Sequence, residues 1–213
     1  MKKVLFVPDS FKGTMSSQEI CEILSQELHK VWPQAEAAAI PVADGGEGSV
    51  DAFLAAVGGE KIAVPCKGPY MEDVQGFYGR RPGGAAVVEM AAAAGLPLAG
   101  DRLHAEQTTT CGVGQLILAA LEGGAKKLIV GLGGSATNDG GAGMQAALGV
   151  RFLRRDGTPY LPVGGTLDQL DRVDLSGLEP RLSRVEIIAM CDIDNPLCGP
   201  AGASAVFGPQ KGA

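Results

Sequence analysis

The sequence predicts an α/β fold. Three features predict it: an opening alternation of a short apolar strand with an amphipathic helix, a glycine-dense loop between a strand and a helix, and acid-bearing loops that fall at strand ends. With 213 residues, 46% hydrophobic and 20% charged, the chain can bury a core as one large domain or two small ones.

Lys3 to Val7 reads as a buried strand ended by Pro8. Ser16 and Glu19 have capping-box spacing, and Ile20, Ile23, Leu24, Leu28 and Val31 then fall on one face of a helix that Pro33 stops. Ala39 to Val42 is a second strand, and Val50, Phe53, Leu54 and Val57 mark a second helix after Gly48. The texture changes at Gly58-Gly59, where a domain boundary is expected: residues 1–58 as the first part of one α/β domain, 59–213 as a second. Lys61 to Cys66, Val74 to Arg80 and Ala85 to Met90 are strands, the last two joined by the hairpin signal Arg81-Pro82-Gly83-Gly84. Thr108 to Thr110 cap a helix whose inner face is Val113, Leu116, Ile117, Ala120 and Leu121. Lys127 to Leu132 is a buried strand, and Met144, Ala147 and Leu148 lie on a following helix. Val150 to Arg154 and Pro159 to Leu161 bracket the hairpin turn Asp156-Gly157. Val185 to Met190 is a last strand, which delivers Cys191-Asp192 at its C-terminal end.

Charge and composition narrow the partners. A formal net charge of -6, with no basic run interleaved with aromatics, argues against nucleic acid. No apolar stretch is long enough to span a bilayer, and the run Val4 to Val7 behind Met1-Lys2-Lys3 is too short for a signal peptide, so a cytoplasmic location without membrane partners is expected. Five scattered cysteines and two histidines, with no Cys-x-x-Cys pair, argue against structural zinc and for reduced, mostly buried thiols.

Four segments carry the candidate chemistry, each at or near a strand end, where ligands gather in open α/β sheets. In Asp9-Ser10-Phe11-Lys12-Gly13-Thr14, Lys12 suits a phosphate or a substrate carboxylate, and Asp9 suits Mg2+ or the orientation of Lys12. In Asp44-Gly45-Gly46-Glu47-Gly48, two carboxylates are placed for Mg2+, which needs only one or two and keeps its waters. In the loop from Gly131 to Gly143, Gly133, Gly134, Gly140 and Gly141 let backbone amides approach phosphate oxygens. Ser135, Thr137 and Asn138 add side-chain partners there, and Asp139 adds a carboxylate. In Cys191-Asp192-Ile193-Asp194-Asn195, Asp192 is a general base for a substrate hydroxyl or a metal ligand.

The same glycine loop contains a rival pattern. Gly131, Gly133 and Ala136 fit the dinucleotide fingerprint G-x-G-x-x-A, with Asp156 near the distance of the ribose-binding acid. That reading is an NAD(P)-dependent dehydrogenase. No Walker A sequence is present.

Together, Pro8 to Thr14, Ala43 to Gly48, Gly131 to Gly149 and Cys191 to Ala213, with its Phe207-Gly208-Pro209-Gln210-Lys211-Gly212-Ala213, resemble the bacterial glycerate kinase family along the whole chain. The resemblance implies ATP, Mg2+ and D-glycerate as ligands and 2-phosphoglycerate as product. It implies a Rossmann- or flavodoxin-like parallel-sheet domain with a second α/β domain inserted into it, around a cleft. Members continue beyond Gly-Pro-Gln-Lys-Gly-Ala, so the chain is expected to be C-terminally truncated, and a non-catalytic binding fragment is a third function class. On this reading Gly133 to Gly143 hold the ATP phosphates, with Ser135 and Thr137 as donors. Asp44, Glu47 and Asp139 hold Mg2+. Lys12, with Lys211 and Gln210, offsets charge on phosphate or glycerate. Ser10 and Asn195 add substrate contacts, and Asp192 takes the proton of the attacking hydroxyl, with Lys12 and Asp9 beside it in the catalytic set.

Overall fold

A computed structural model describes residues 2–213. The first 58 residues form a parallel strand pair with two helices. Strands β1 (Lys3–Phe6) and β2 (Glu36–Ala39) pair in register from Lys3 with Glu36 to Phe6 with Ala39. Helix α1 (Ser17–Val31) connects them. Its capping box forms as its spacing predicts: Glu19 accepts from the Ser16 N–H at 2.8 Å while Ser16 Oγ accepts from the Glu19 N–H at 3.2 Å. Ile20 and Leu28 are buried, but Ile23, Leu24 and Val31 on the same face are exposed. Nor is β1 the buried strand expected from its sequence: Leu5 is 59% exposed, because β2 is its one neighbour in a two-stranded sheet. The second strand falls earlier than expected, at Glu36–Ala39 instead of Ala39 to Val42, because Ala35 and its neighbours continue straight from the α1 turn into the ladder with Lys2 and Lys3.

Helix α2 (Ser49–Val57) leaves this unit and packs on a second sheet. That sheet has five strands in the order β10-β6-β5-β4-β3. Strands β3 (Glu60–Lys67), β4 (Asp73–Arg81) and β5 (Ala85–Glu89) form an antiparallel meander. Strands β6 (Lys127–Gly131) and β10 (Glu186–Met190) add to it in parallel with β5. Two short helices, α3 (Ala91–Ala94) and α4 (Leu96–Ala99), which carry no amphipathic signal in the sequence, follow β5.

The core lies between this sheet and helix α5 (Cys111–Glu122). Val113, Leu116, Ile117, Ala120 and Leu121 are all at most 5% exposed, as their helical spacing predicts. Burial of each large aliphatic among them is worth about 1.5–3 kcal/mol. Helix α6 (Ala142–Ala147) follows the glycine loop and packs on α5. A small antiparallel sheet of β7 (Arg151–Leu153), β8 (Pro159–Tyr160) and β9 (Arg172–Asp174) closes a second apolar cluster around Ala142, Val150 and Phe152. Helix α7 (Ala203–Phe207) and a 3-10 turn at Pro209–Lys211 end the chain.

All five cysteines are free; Cys21 and Cys66 are buried, whereas Cys191 and Cys198 are exposed, against the expectation of mostly buried thiols. Among the described residues, no helix is long and apolar enough to cross a membrane.

Candidate active site

Strands β6 and β10 run in parallel and end together, so the glycine loop and the segment from Cys191 start side by side. The Leu132 N–H donates to the Met190 carbonyl at 3.1 Å. The acidic loop fits against both. Gly133 donates its N–H to the Gly45 carbonyl at 3.0 Å, and a Cβ on Gly133 would lie 2.9 Å from Gly46 Cα. A Cβ on Gly45, whose φ is +96°, would lie 2.8 Å from the Met190 carbonyl oxygen. Close backbone approach is therefore what these glycines provide. The fourth segment joins through Lys12, whose Nζ is 3.2 Å from Asp44 Oδ2. The four segments singled out in the sequence converge.

Asp44 is only partly exposed. Burial pushes its carboxyl up, but the Gly46 amide, at 2.9 Å from Oδ1, and the Lys12 ammonium outweigh that and hold it below its usual range. Glu47 is exposed and lines a cleft of about 830 Å³ together with Ser10, Lys12, Lys61 and Glu89. Asp9 is exposed and accepts the Ser10 N–H at 2.7 Å.

The glycine loop is pinned by residues of the C-terminal segment. Lys211 Nζ donates to Ser135 Oγ at 2.8 Å and to the Thr137 carbonyl at 2.9 Å. Burial pushes the Lys211 ammonium down, while the Asp139 charge pulls it back up. Ser204 Oγ donates to Asn138 Oδ1 at 3.1 Å. Asn195 donates to the Ala201 carbonyl at 3.0 Å and so braces its own loop. Gln210 and Asp192 are exposed.

Two expectations about this loop need correction. Asp139 was expected to bind metal, but it is 1% exposed and accepts four hydrogen bonds. They come from the Thr110 N–H and hydroxyl at 2.8 Å each, the Gly141 N–H at 2.9 Å and the Gly143 N–H at 3.1 Å. A carboxylate has about four lone-pair sites, and these are filled. The Gly141 amide was expected to approach phosphate, but Asp139 takes it together with the Gly143 amide, and Thr110 Oγ1 takes the Met144 amide at 2.8 Å. Thr110 therefore ties α5 to the loop, and its side chain does not cap its own helix as expected. Gly133 likewise spends its amide on Gly45, and the Thr137 side chain is buried. Gly134, Ser135 and Asn138 remain at the loop's partly exposed front, and Gly140 is exposed.

The dinucleotide pattern fails on the same geometry. Its helix should open at Gly133–Ala136, but α6 begins at Ala142, and Asp156 turns back onto Thr158 N–H at 2.9 Å within the β7–β8 turn.

Sequence reasoning missed Glu89. At the end of β5 it is 2% exposed, and it accepts from the Val50 N–H at 2.8 Å and the Gly48 N–H at 3.4 Å. Burial pushes its carboxyl up against the pull of those two amides. The signal was present: a lone acid in the apolar run Ala85 to Met90.

No group of three or more metal-ligating side chains exists among the described residues. Asp44 and Glu47 share one loop, and such a hard-oxygen pair fits Mg2+, which retains several waters.

A mixed α/β sheet whose strand ends gather an acid pair, two lysines and a glycine loop has the layout of the α/β ligand-binding class, with the candidate site at the carboxyl ends of the strands. The sequence pattern of the Glycerate kinase family matches residues 4–213, and the chain belongs to that family. It is 50% identical to a glycerate kinase of Bacillus subtilis over 99% of this chain and 56% of the relative. It is 45% identical to the glycerate 2-kinase of Escherichia coli, again over 99% and 56%. A crystal structure ascribed to glycerate kinase 2 of Salmonella typhimurium LT2 superposes with a TM-score of 0.84 at 44% identity, covering 100% of this chain and 58% of that one. The chain thus spans little more than half the length of the relatives it matches.

Proposed function

We propose that this site transfers the γ-phosphoryl group of ATP to a hydroxyl of D-glycerate, giving 2-phosphoglycerate. The observation that carries the reading is the Gly133–Gly45 hydrogen bond, flanked by Asp44 with its partner Lys12 and by Ser135 with its partner Lys211, in a chain of the glycerate kinase family. The similarity to the Escherichia coli glycerate 2-kinase favours the 2-hydroxyl as acceptor.

The front of the glycine loop, Gly134, Ser135 and Asn138 with Gly140, meets the ATP phosphates. Ser135 accepts from Lys211, so its own hydroxyl hydrogen is available to an anion. Lys12 neutralises phosphate or the glycerate carboxylate, and Ser10 lines the same cleft. Mg2+, held by Asp44 and Glu47, would supply charge neutralisation for the polyphosphate. Asp192, exposed beyond β10, takes the proton of the attacking hydroxyl, with Gln210 and Asn195 on neighbouring loops. Positioning and electrostatics carry such a transfer. A cytoplasmic location accords with an ATP-dependent reaction.

The parallel pair β1–β2 fits the two-domain arrangement. A two-stranded sheet is marginal alone, and parallel sheets are covered on both faces. Residues 1–58 therefore form one part of a domain that sequence corresponding to the relatives' further length completes, and 59–213 form the second domain.

The test is ADP release with D-glycerate, ATP and Mg2+ against a blank lacking glycerate, on this chain and on a chain of the relatives' full length. Glycerate-dependent release, with phosphorus NMR identifying the 2-phosphoester, supports the reading. Release equal to the blank in both chains sinks it.

A further inference from the structure

We propose that Glu89 is a positioning residue: it sets the acidic loop, and with it Asp44 and Glu47, against the glycine loop. The proposal rests on the kinase reading of that site.

Three observations support it. Glu89 is 2% exposed, and its carboxylate spans the start of α2 through the Gly48 and Val50 amides. Gly48 immediately follows Glu47, and Val50 lies two residues further. Glu89 itself stands on β5 directly beside Gly131 of β6, the last residue before the glycine loop. Behind it, the Met90 N–H donates to the Gly131 carbonyl at 2.9 Å. A Cβ on Gly131 would run into the Gly45 carbonyl. One side chain thus connects the rigid end of the sheet to the loop that carries both candidate cation ligands. Without it, the one described tie from the acidic loop to the glycine loop is the Gly133–Gly45 hydrogen bond.

The chemistry explains why a carboxylate stands there. The first turn of α2 has free amides and partial positive charge, which Glu89 answers from the opposite element. Gly48 is left-handed, with φ +87°, and offers no side chain of its own for the cap.

The experiment uses Glu89→Gln, which keeps the shape and one acceptor but turns an amide donor toward a backbone donor. Glu89→Asp, which keeps the charge, serves if the Gln chain fails to fold. Two readouts are taken: amide hydrogen exchange across residues 45–51, and the affinity for Mn2+·ATP by electron paramagnetic resonance. The expected result is exchange at Gly48 and Val50 faster by about tenfold, with exchange in β6 unchanged, as a local opening requires. Affinity for Mn2+·ATP falls by about tenfold as well. Unchanged exchange at those amides overturns the proposal. So does faster exchange with affinity equal to the unsubstituted chain. An unsubstituted chain, tested at both lengths, that binds no Mn2+·ATP sinks the kinase reading and the positioning role with it, whereas binding that the variant keeps in full sinks only the role of Glu89.

Discussion

Lys211 and Ser135, far apart in the chain, meet through a 2.8 Å hydrogen bond from Nζ to Oγ. The ammonium is half-buried and also holds the Thr137 carbonyl, so the last residues of the chain fix the conformation of the glycine loop. Lys211→Met keeps the stem and removes the donor. We expect a loss of about 1.5–3 kcal/mol in urea unfolding, the range for a hydrogen bond involving a charged group. We expect ATP affinity by calorimetry to fall more than tenfold. Equal ATP affinity in a folded variant would remove Lys211 from the phosphate site.

Lys12 and Asp44 should separate stability from function. Their ion pair is exposed on the lysine side, at 66%, and exposed pairs contribute about 0–1 kcal/mol. Lys12→Ala should therefore leave the urea midpoint nearly unchanged. The kcat/KM for glycerate, measured in a chain of the relatives' full length, should fall at least a hundredfold. A folded variant with near-normal kcat/KM would place the phosphate or carboxylate contact elsewhere.

The junction of the two loops predicts an overpacking effect. Gly133→Ala puts a methyl 2.9 Å from Gly46 Cα and N, both backbone atoms that cannot rotate aside. The loops must part, at a cost of about 1–3 kcal/mol. Gly140→Ala meets nothing within 4 Å, but sits at φ +62° and costs only the left-handed backbone term, about 1 kcal/mol. Urea unfolding of the two variants should show the larger loss for Gly133.

Why the sequence revealed the strands of the larger sheet and not the use of its loops follows from these contacts. Val113 to Leu121 announced a buried helix because burial repeats at helical spacing, and α5 buries all five positions. The glycine loop announced anion binding because glycine and hydroxyl residues between a strand and a helix usually do that. What spacing does not record is which amides are already occupied. Asp139 and Thr110 cap α6, and Glu89 caps α2, from positions distant in sequence. Asp44 and Lys12 were legible as charged groups at strand ends, while their pairing at 3.2 Å emerges only when β1 and β2 are parallel neighbours. The misplacement of the second strand has the same origin: Glu36–Ala39 is nearly all alanine and lacks any alternation to fix its register.

Acid should weaken the segment before β10. Glu179 accepts from the Arg181 guanidinium at 2.7 Å and from its backbone N–H, which together hold its carboxyl down at about 2. A depressed carboxyl contributes stability that is full above the unfolded value, about 4.3, and lost as pH falls through about 2. Glu179 is partly buried but its partner Arg181 is 43% exposed, so salt should reduce the effect. Comparing the chain with Arg181→Met in urea, the stability gap should shrink steadily between those two pH values and stay flat from pH 5 to 8. A gap that persists at pH 2 would mean Arg181 acts by packing and not by charge.

Asp139→Asn offers the strongest contrast with a metal role. The carboxylate accepts from three N–H groups and one hydroxyl at 1% exposure, and Asn must turn an NH2 group toward at least one of those donors. The lost acceptor leaves a buried donor unpaired, at about 1–3 kcal/mol, and the remaining charge-assisted bonds weaken to neutral ones. A total of about 2–4 kcal/mol is expected from urea unfolding, with or without Mg2+. A metal ligand behaves differently: its loss costs little in the metal-free protein and abolishes the stabilisation that Mg2+·ATP adds. Asp44→Asn should follow that second pattern, because Asp44 is partly exposed and bonded to only one backbone amide and one exposed lysine. If the two variants exchange behaviours, the cation sits behind the glycine loop at Asp139, and the acidic loop serves only to shape the cleft.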